Sequence, residues 1–319
     1  MKVVYCVKHG SHEDLEVRDI DPPGAPGQDQ VKVDIEARGI QFSDLVRIAG
    51  NYQDKGGLPF VVGGEASGVV SEIGDAVTNV AVGDRVLTPG GCVEQINISS
   101  RAVRQIPEGV DMKVAASFQN NYATAYYGMQ RANLQAGETL LVHGAAGGVG
   151  LAAVDIGKLY GATVIGTASS DEKLAVVKKM GADHVINYSD GFRDQVKELT
   201  GGLGADVIYD PVGGDVFDES VRCIAPFGRI LIVGFTSGRP ALAKTNHLLV
   251  KDASVIGYTL GGLQKYRPEH SEKNTRILMN WLGCGRITPF ISHVLEMDDI
   301  VEAYQLLVDR KVIGKVILT

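Results

Sequence analysis

Glu138-Thr139-Leu140-Leu141-Val142-His143-Gly144-Ala145-Ala146-Gly147-Gly148-Val149-Gly150, continued by Leu151-Ala152-Ala153-Val154-Asp155-Ile156-Gly157-Lys158-Leu159-Tyr160, decides how the chain is read. The leading residues are a short apolar run without proline, the glycines make a turn, and the stretch from Leu151 has helical spacing. Gly161 stops that helix, and Ala162-Thr163-Val164-Ile165-Gly166-Thr167 is a second run of strand type. Together they predict a βαβ unit. The unpaired N–H groups at the head of such a helix carry the positive end of its dipole and can hold a pyrophosphate if no side chain blocks the approach. Gly147 and Gly148 are expected to leave the approach open, and Gly150 to let the helix pack closely on the strand. Ala145 replaces the first glycine of G-x-G-x-x-G. The competing reading is a tight turn of any α/β protein; the flanking strands and helix favour a dinucleotide site.

The alternation continues downstream. Asp171 to Met180 reads as a helix ended by Gly181, and His184 to Tyr188 as a third strand. A helix over Phe192 to Leu199, a strand over Ala205 to Asp210, a helix over Asp215 to Ala225, and strands over Gly228 to Phe235 and Ala253 to Tyr258 follow. This pattern predicts a doubly wound parallel sheet. Upstream, from Met1 to about Phe118, the texture is short strands and turns. Val3 to Val7 and the cleanly alternating Val31 to Ala37 are separated by the loop Asp21 to Gly27; Val61 to Val70 and Ala81 to Val86 follow, which suggests a small barrel-like β domain. Asp111 to Met129 reads as a helix with Asp111 as N-cap. Late in the chain come a helix over Asn274 to Trp281, a longer one over Asp298 to Arg310 with Ile300, Val301, Tyr304, Leu307 and Val308 on its apolar face, and the strand Lys315 to Leu318. These are expected to return to the first domain. The expected division is thus 1–120 with 261–319, interrupted by 121–260.

With 319 residues the chain can build two domains, and 45% apolar with 22% charged residues is ordinary for a globular protein. A net charge of −7 and the lack of a Lys/Arg stripe argue against a nucleic-acid surface. Met1 to Cys6 soon meets Lys8, His9 and Glu13, and no apolar run is long enough to cross a bilayer. Cys6, Cys92, Cys223 and Cys284 are far apart, without C-x-x-C spacing, so a reducing, cytoplasmic setting is expected.

This order of parts resembles the medium-chain dehydrogenase/reductase superfamily over the whole chain. Gly39-Ile40-Gln41-Phe42-Ser43-Asp44, Gly63-Gly64-Glu65-Ala66-Ser67-Gly68-Val69-Val70, Gly83-Asp84-Arg85-Val86, the glycine turn and Gly314-Lys315-Val316 resemble its zinc-free quinone oxidoreductases, the zeta-crystallin group. The resemblance implies a discontinuous GroES-like β-barrel catalytic domain and a Rossmann domain. It implies no metal site: zinc enzymes of the superfamily have Cys-His where Gln41 and Phe42 stand, and Gly-His-Glu where Gly63-Gly64-Glu65 stands. Glu65 is then a structural carboxylate.

The second strand of the βαβ unit ends in Gly166-Thr167-Ala168-Ser169-Ser170, without the acidic residue that favours NAD, and Lys173 follows one turn into the helix. In the resembled family a Lys and the Tyr of an Asn-Tyr pair hold the 2′-phosphate of NADPH, matching Lys173 and Tyr188, and a late Arg, aligning with Arg310, can join them. A solvated helix face is the plain alternative for Lys173. The expected cofactor is NADPH, held by Gln41, Thr124, Ala146, Gly147, Gly148, Val149, Ser169, Ser170, Lys173, Tyr188, Gly234, Phe235 and Arg310. Without a Lewis acid the acceptor must already be electrophilic, a quinone or an activated enone. Gln41, where the family commonly has Asn, and Tyr52, which aligns with a family tyrosine, are the candidate catalytic residues. Gln41 could donate to the acceptor oxygen or hold the nicotinamide ribose. Tyr52 is either the proton donor proposed in related enoyl-thioester reductases or a loop aromatic that only lines the cleft. His143 is expected to be structural, and Asn246 to serve either the cofactor or its own loop.

Three functions follow from the resemblance: an NADPH-dependent quinone oxidoreductase, an enoyl-CoA or 2-alkenal reductase, and a non-catalytic crystallin-like or RNA-binding protein. The acidic balance and the intact Gly147-Gly148-Val149-Gly150 weigh against the last. A homodimer joined through the edge strand Ala253 to Tyr258 is also implied.

Overall fold

The computed structural model describes residues 1–52 and 57–319. In chain order, the first half contains β1 (Lys2–Cys6), β2 (Glu16–Asp19), β3 (Gln30–Ile40), α1 (Phe42–Ile48), β4 (Phe60–Val61), β5 (Ala66–Ile73), β6 (Arg85–Thr88), β7 (Gln95–Ser99), β8 (Arg104–Gln105), α2 (Met112–Ala116) and α3 (Gln119–Ala132). There follow β9 (Thr139–Val142), α4 (Gly148–Leu159), β10 (Thr163–Ala168), α5 (Asp171–Lys179), β11 (His184–Asn187), α6 (Arg193–Leu199), β12 (Ala205–Asp210), α7 (Gly214–Cys223), β13 (Ile224–Ile232), α8 (Thr245–Lys251) and β14 (Ser254–Gly257). The chain closes with α9 (Leu260–Tyr266), α10 (Pro268–Gly283), β15 (Ile291–Leu295), α11 (Ile300–Val308) and β16 (Lys315–Leu318).

Two compact units result, Met1–Gln119 with Pro289–Thr319, and Asn120–Thr288. In the first, a three-stranded sheet runs β2-β1-β4, and a larger one runs β15-β16-β3-β5-β6-β8 with β7 also on β3. The alternation of Val31, Val33 and Ile35 puts one face of β3 inside with Val70 and Val86, while Ala37 packs with Ala116 and Ile317. A second core gathers Val4, Ile40, Ile48, Val62, Met297, Ile300, Ala303, Tyr304 and Val316, so the return of the chain after residue 288 completes this unit rather than forming one of its own. In α11 the buried stripe is Ile300, Ala303 and Tyr304 with Leu307 packed beside it, while Val301 and Val308 face solvent, contrary to the sequence expectation. Spacing of three and four residues selects Ala303 over Val301, which is rotated off the stripe.

The second unit is a parallel six-stranded sheet in the order β11-β10-β9-β12-β13-β14. Its central strands are nearly continuous apolar runs, because helices cover both faces. The division corrects the expected boundary at 261, since α9 and α10 belong here. Trp281 meets Tyr126 edge-on at 5.3 Å, and Gln130 exchanges hydrogen bonds with Asn274 (2.9 and 3.1 Å), which tie α10 to α3. The helix expected over 111–129 is split into α2 and α3. Asp111 does cap it, with Oδ1 accepting from Lys113 N at 2.8 Å, but Ser117 directs both its N–H and its hydroxyl to Val114 O and closes α2 early. β13 begins four residues before the expected Gly228 and ends at Ile232, which leaves Gly234 and Phe235 in the loop beyond it. No helix among the described residues is long and apolar enough to cross a membrane.

Candidate functional site

The carboxyl ends of β9 to β13 gather most of the residues singled out from sequence. The strand order reverses direction from β9, with β10 on one side and β12 on the other, the switch point where open α/β sheets bind ligands. After β9, Ala145 N donates to Thr167 O (2.9 Å) and Gly147 N to Gly144 O (2.9 Å), which fixes the turn onto α4. Ala146, Gly147, Gly148 and Val149 lead into the first turn of that helix. Gly147 is the N-cap and offers no side-chain bond, and that turn holds no acidic residue. Its leading N–H groups therefore remain available to an anion, and the site fits a pyrophosphate.

Two glycines act differently from each other. A Cβ on Gly150 would lie 2.3 Å from Gly144 O and 2.7 Å from Ala145 Cα, so this residue sets the close approach of α4 to the turn before it, where close packing on the strand was expected. A Cβ on Gly148 would meet the buried side chain of Asn121 at 2.4 Å. Gly148 is thus required by packing on α3, whereas a Cβ on Gly147 would meet only Gly144 O, at 3.4 Å.

At the end of β10, Ser169 is exposed and Ser170 caps α5 by accepting from Lys173 N (3.4 Å). Lys173 lies in the first turn of α5, and the half-buried Tyr188 follows β11, packed against the core that contains Ile186 and Phe192. Asp171, in the same first turn, accepts from Asn187 Nδ2 at 3.2 Å. Gly234 and the 44% exposed Phe235 lie beyond β13, anchored by Thr236 N to Pro211 O (3.0 Å). The Thr124 hydroxyl donates to Asn120 O (2.7 Å), which leaves its oxygen as an acceptor. Asn246 sits exposed in the first turn of α8.

His143 is structural. It is buried between Thr167 Oγ1 (3.0 Å) and Ser220 Oγ (2.8 Å), and burial pulls its pKa down to about 3, so the ring stays neutral. Asp210, at the end of β12, accepts from Val212 N and Gly213 N at 2.8 and 2.9 Å; burial pushes its carboxyl above the usual range.

The remaining candidates belong to the first unit. Gln41 ends the connection from β3 and caps α1. Tyr52 is 41% exposed and directly precedes residues 53–56, and Arg310 follows α11 with φ 57°. Below Gln41 lies a group that sequence reading missed as a cluster: Asp44, Glu65, Tyr304 and Lys315, all buried. Lys315 Nζ and Glu65 Oε2 form an ion pair at 2.9 Å with both side chains almost wholly enclosed. Asp44 Oδ2 accepts from Gln41 N (2.9 Å) and from Tyr304 OH (3.3 Å). Each residue but Tyr304 stands in a motif quoted above, yet their meeting required residues far apart in sequence. Among the described residues, no group of three or more His, Cys, Asp or Glu side chains could hold a metal.

A parallel sheet with an anion-ready helix at its switch point, interrupting a β-rich unit, defines a dinucleotide-dependent dehydrogenase architecture. Residues 27–144 match the family described as alcohol dehydrogenase GroES-like domain, and 148–274 that described as zinc-binding dehydrogenase. The chain is 41% identical over 300 residues to quinone oxidoreductase-like protein 2 homolog of Nematostella vectensis, covering 92% of this chain and 82% of that protein. It is 32% identical over 310 residues to a 2-haloacrylate reductase of Burkholderia sp, with 92% of each covered. The Escherichia coli quinone oxidoreductase crystallised with NADPH superposes with a TM-score of 0.90 at 29% identity, covering 100% of this chain and 99% of that one. The chain belongs to the quinone oxidoreductase-like family of the medium-chain dehydrogenase/reductase superfamily, and it is an oxidoreductase.

Proposed function

We propose that this protein uses NADPH to reduce quinones or activated enones without zinc. The observation that carries the reading is the buried Lys315–Glu65 pair at 2.9 Å, beside positions where zinc enzymes need donors and this chain has Gln41, Phe42 and Gly64. Glu65 is committed to an ammonium group, and an amide, a phenyl ring and a glycine make no zinc set. With no Lewis acid to polarise it, the acceptor must be electrophilic from the start. Bound NADPH supplies a hydride. The chain's own residues bind its pyrophosphate at the head of α4 and its 2′-phosphate with Ser169, Ser170, Lys173 and Tyr188. Thr124 accepts from a carboxamide N–H, and Gln41 donates to the acceptor oxygen or holds the ribose. Gly234 and Phe235 contact the cofactor beyond β13.

Steady-state oxidation of NADPH and NADH, each with 1,4-benzoquinone in chelator-treated buffer, tests the reading. NADPH-selective turnover that survives chelation supports it; loss of activity on chelation, or a preference for NADH, overturns it. A second reading, reduction of enoyl thioesters or alkenals with Tyr52 as proton donor, is favoured by the exposed Tyr52 and by the likeness to the 2-haloacrylate reductase. Turnover of crotonyl-CoA that is lost in Tyr52→Phe would establish it.

We further propose a homodimer paired through β14. That strand is the edge of the parallel sheet, and the neighbouring α8 exposes Leu249 (78%) and Val250 (84%). The molar mass in solution checks this. Free cysteines, three of them buried, suit a reducing, cytoplasmic setting.

A further inference from the structure

Asp44 stands three residues after Gln41 on α1, and the proposed chemistry makes no use of it. It is buried, with Oδ2 accepting from the Gln41 backbone N–H at 2.9 Å and the Tyr304 hydroxyl at 3.3 Å. The groups facing it come from several elements: Lys315 of β16, Glu65 just before β5, Tyr304 of α11 and Cys92 after β6. His12 lies against the Tyr304 ring, centroids 6.4 Å apart, and its Nε2 bonds Gln305 Oε1 at 3.1 Å. Lys315 touches Glu65 directly, so one cation serves two enclosed carboxylates. Burial is the main influence on Asp44 and raises its carboxyl to about 6; Glu65 adds to the rise, while the Gln41 N–H, Lys315 and Tyr304 oppose it.

We propose that Asp44 is the positioning residue for Gln41: its ionised carboxylate clamps the Gln41 backbone at the head of α1, and protonation loosens that clamp and the amide it orients. The proposal rests on the reading of Gln41 as a contact of the cofactor or acceptor. A hydrogen bond to a carboxylate is roughly twice as strong as one to a neutral acid. The negative charge also faces the positive end of a helix only seven residues long, which has little stability of its own.

Two effects then run in opposite directions over one pH range. The folded chain binds this proton more tightly than the unfolded one, because the folded pKa lies above the ordinary carboxylate value. The contribution of Asp44 to stability therefore grows as pH falls from about 6 toward about 4. Function weakens over the same interval. Simple acid unfolding would lower both together.

The experiment measures kcat/KM with NADPH and 1,4-benzoquinone from about pH 5 to about pH 8, for the unaltered chain, Asp44→Asn, Tyr304→Phe and Gln41→Ala. The melting temperature of each chain without cofactor is recorded over the same range. For the unaltered chain, kcat/KM is expected to fall about tenfold per pH unit below a midpoint near 6. Asp44→Asn should flatten that limb, and the melting temperature of the unaltered chain should rise relative to Asp44→Asn as pH falls. Tyr304→Phe should move the midpoint upward, because a donor to the ionised form is lost. Impaired Gln41→Ala together with an unaltered acid limb in Asp44→Asn overturns the proposal and spares the role of Gln41; a fully active Gln41→Ala overturns both. A melting difference that does not vary with pH also overturns it. If Asp44→Asn does not fold, the Tyr304→Phe midpoint decides: an upward shift supports the clamp, and no shift or a downward one refutes it.

Discussion

The helices that leave the neighbouring strands β9 and β10 begin in opposite ways. α4 starts from Gly147, with no side-chain cap and no acid in its first turn. α5 starts from Ser170, whose hydroxyl accepts from Lys173 N, and carries Asp171 and Glu172 in its first turn. Both helices have unpaired N–H groups and a positive end. α5 satisfies one of its own, that of Lys173, through Ser170; α4 has no such side chain. The difference separates a helix start left open to an anion from one partly closed by its own side chains, and at the second the proposed 2′-phosphate contact falls to the side chains of Ser170 and Lys173. Beside two carboxylates, a 2′-phosphate needs a cation.

The comparison breaks most severely at Gly150. Gly150→Ala forces a methyl against Gly144 O and Ala145 Cα and should destabilise the chain by about 3 kcal/mol, with loss of NADPH binding, measured by thermal melting and cofactor titration. Val149→Asp would give α4 the acidic start of α5. The helix itself should gain roughly 0.5 kcal/mol while NADPH affinity falls at least about tenfold, so melting and calorimetric titration should move in opposite directions. Lys173→Ala leaves the anion site of α4 intact and should weaken NADPH about tenfold with little change for NADH; equal loss for both would assign Lys173 to the solvated face instead. Ser170→Ala removes the cap of α5 together with a hydroxyl proposed to hold the 2′-phosphate; it should cost about 1 kcal/mol in stability and weaken NADPH less than Lys173→Ala does.

Much of the second unit was legible because its signals are local. The run from Glu138 to Lys173 holds strand, turn, helix and strand in order, with Gly144 after the first strand, Gly161 after the helix and Ser169-Ser170 after the second strand. Errors arose where contacts from elsewhere decided the outcome. Gly148 was read as opening a phosphate site; that Asn121 on another helix also takes the room a Cβ would need there was not legible. Gly234 and Phe235 were read into a strand because they continue an apolar run, but β13 pairs with β12 and β14 only as far as Ile232. α10 was assigned to the wrong unit, since amphipathic spacing shows that a helix has a buried face without saying what covers it.

The sequence by itself determined the βαβ unit, its glycine turn, and the Gln41, Phe42 and Gly64 that stand where zinc enzymes have donors, because each depends on residue type within one turn or strand. Only the tertiary structure decided the cluster beneath Gln41. Asp44, Glu65, Tyr304 and Lys315 come from separate elements, and their shared environment follows from β16 pairing with β3 and α11 packing into the same core. A buried carboxylate takes its pKa from neighbours and from the water it has lost, and both are properties of the folded chain.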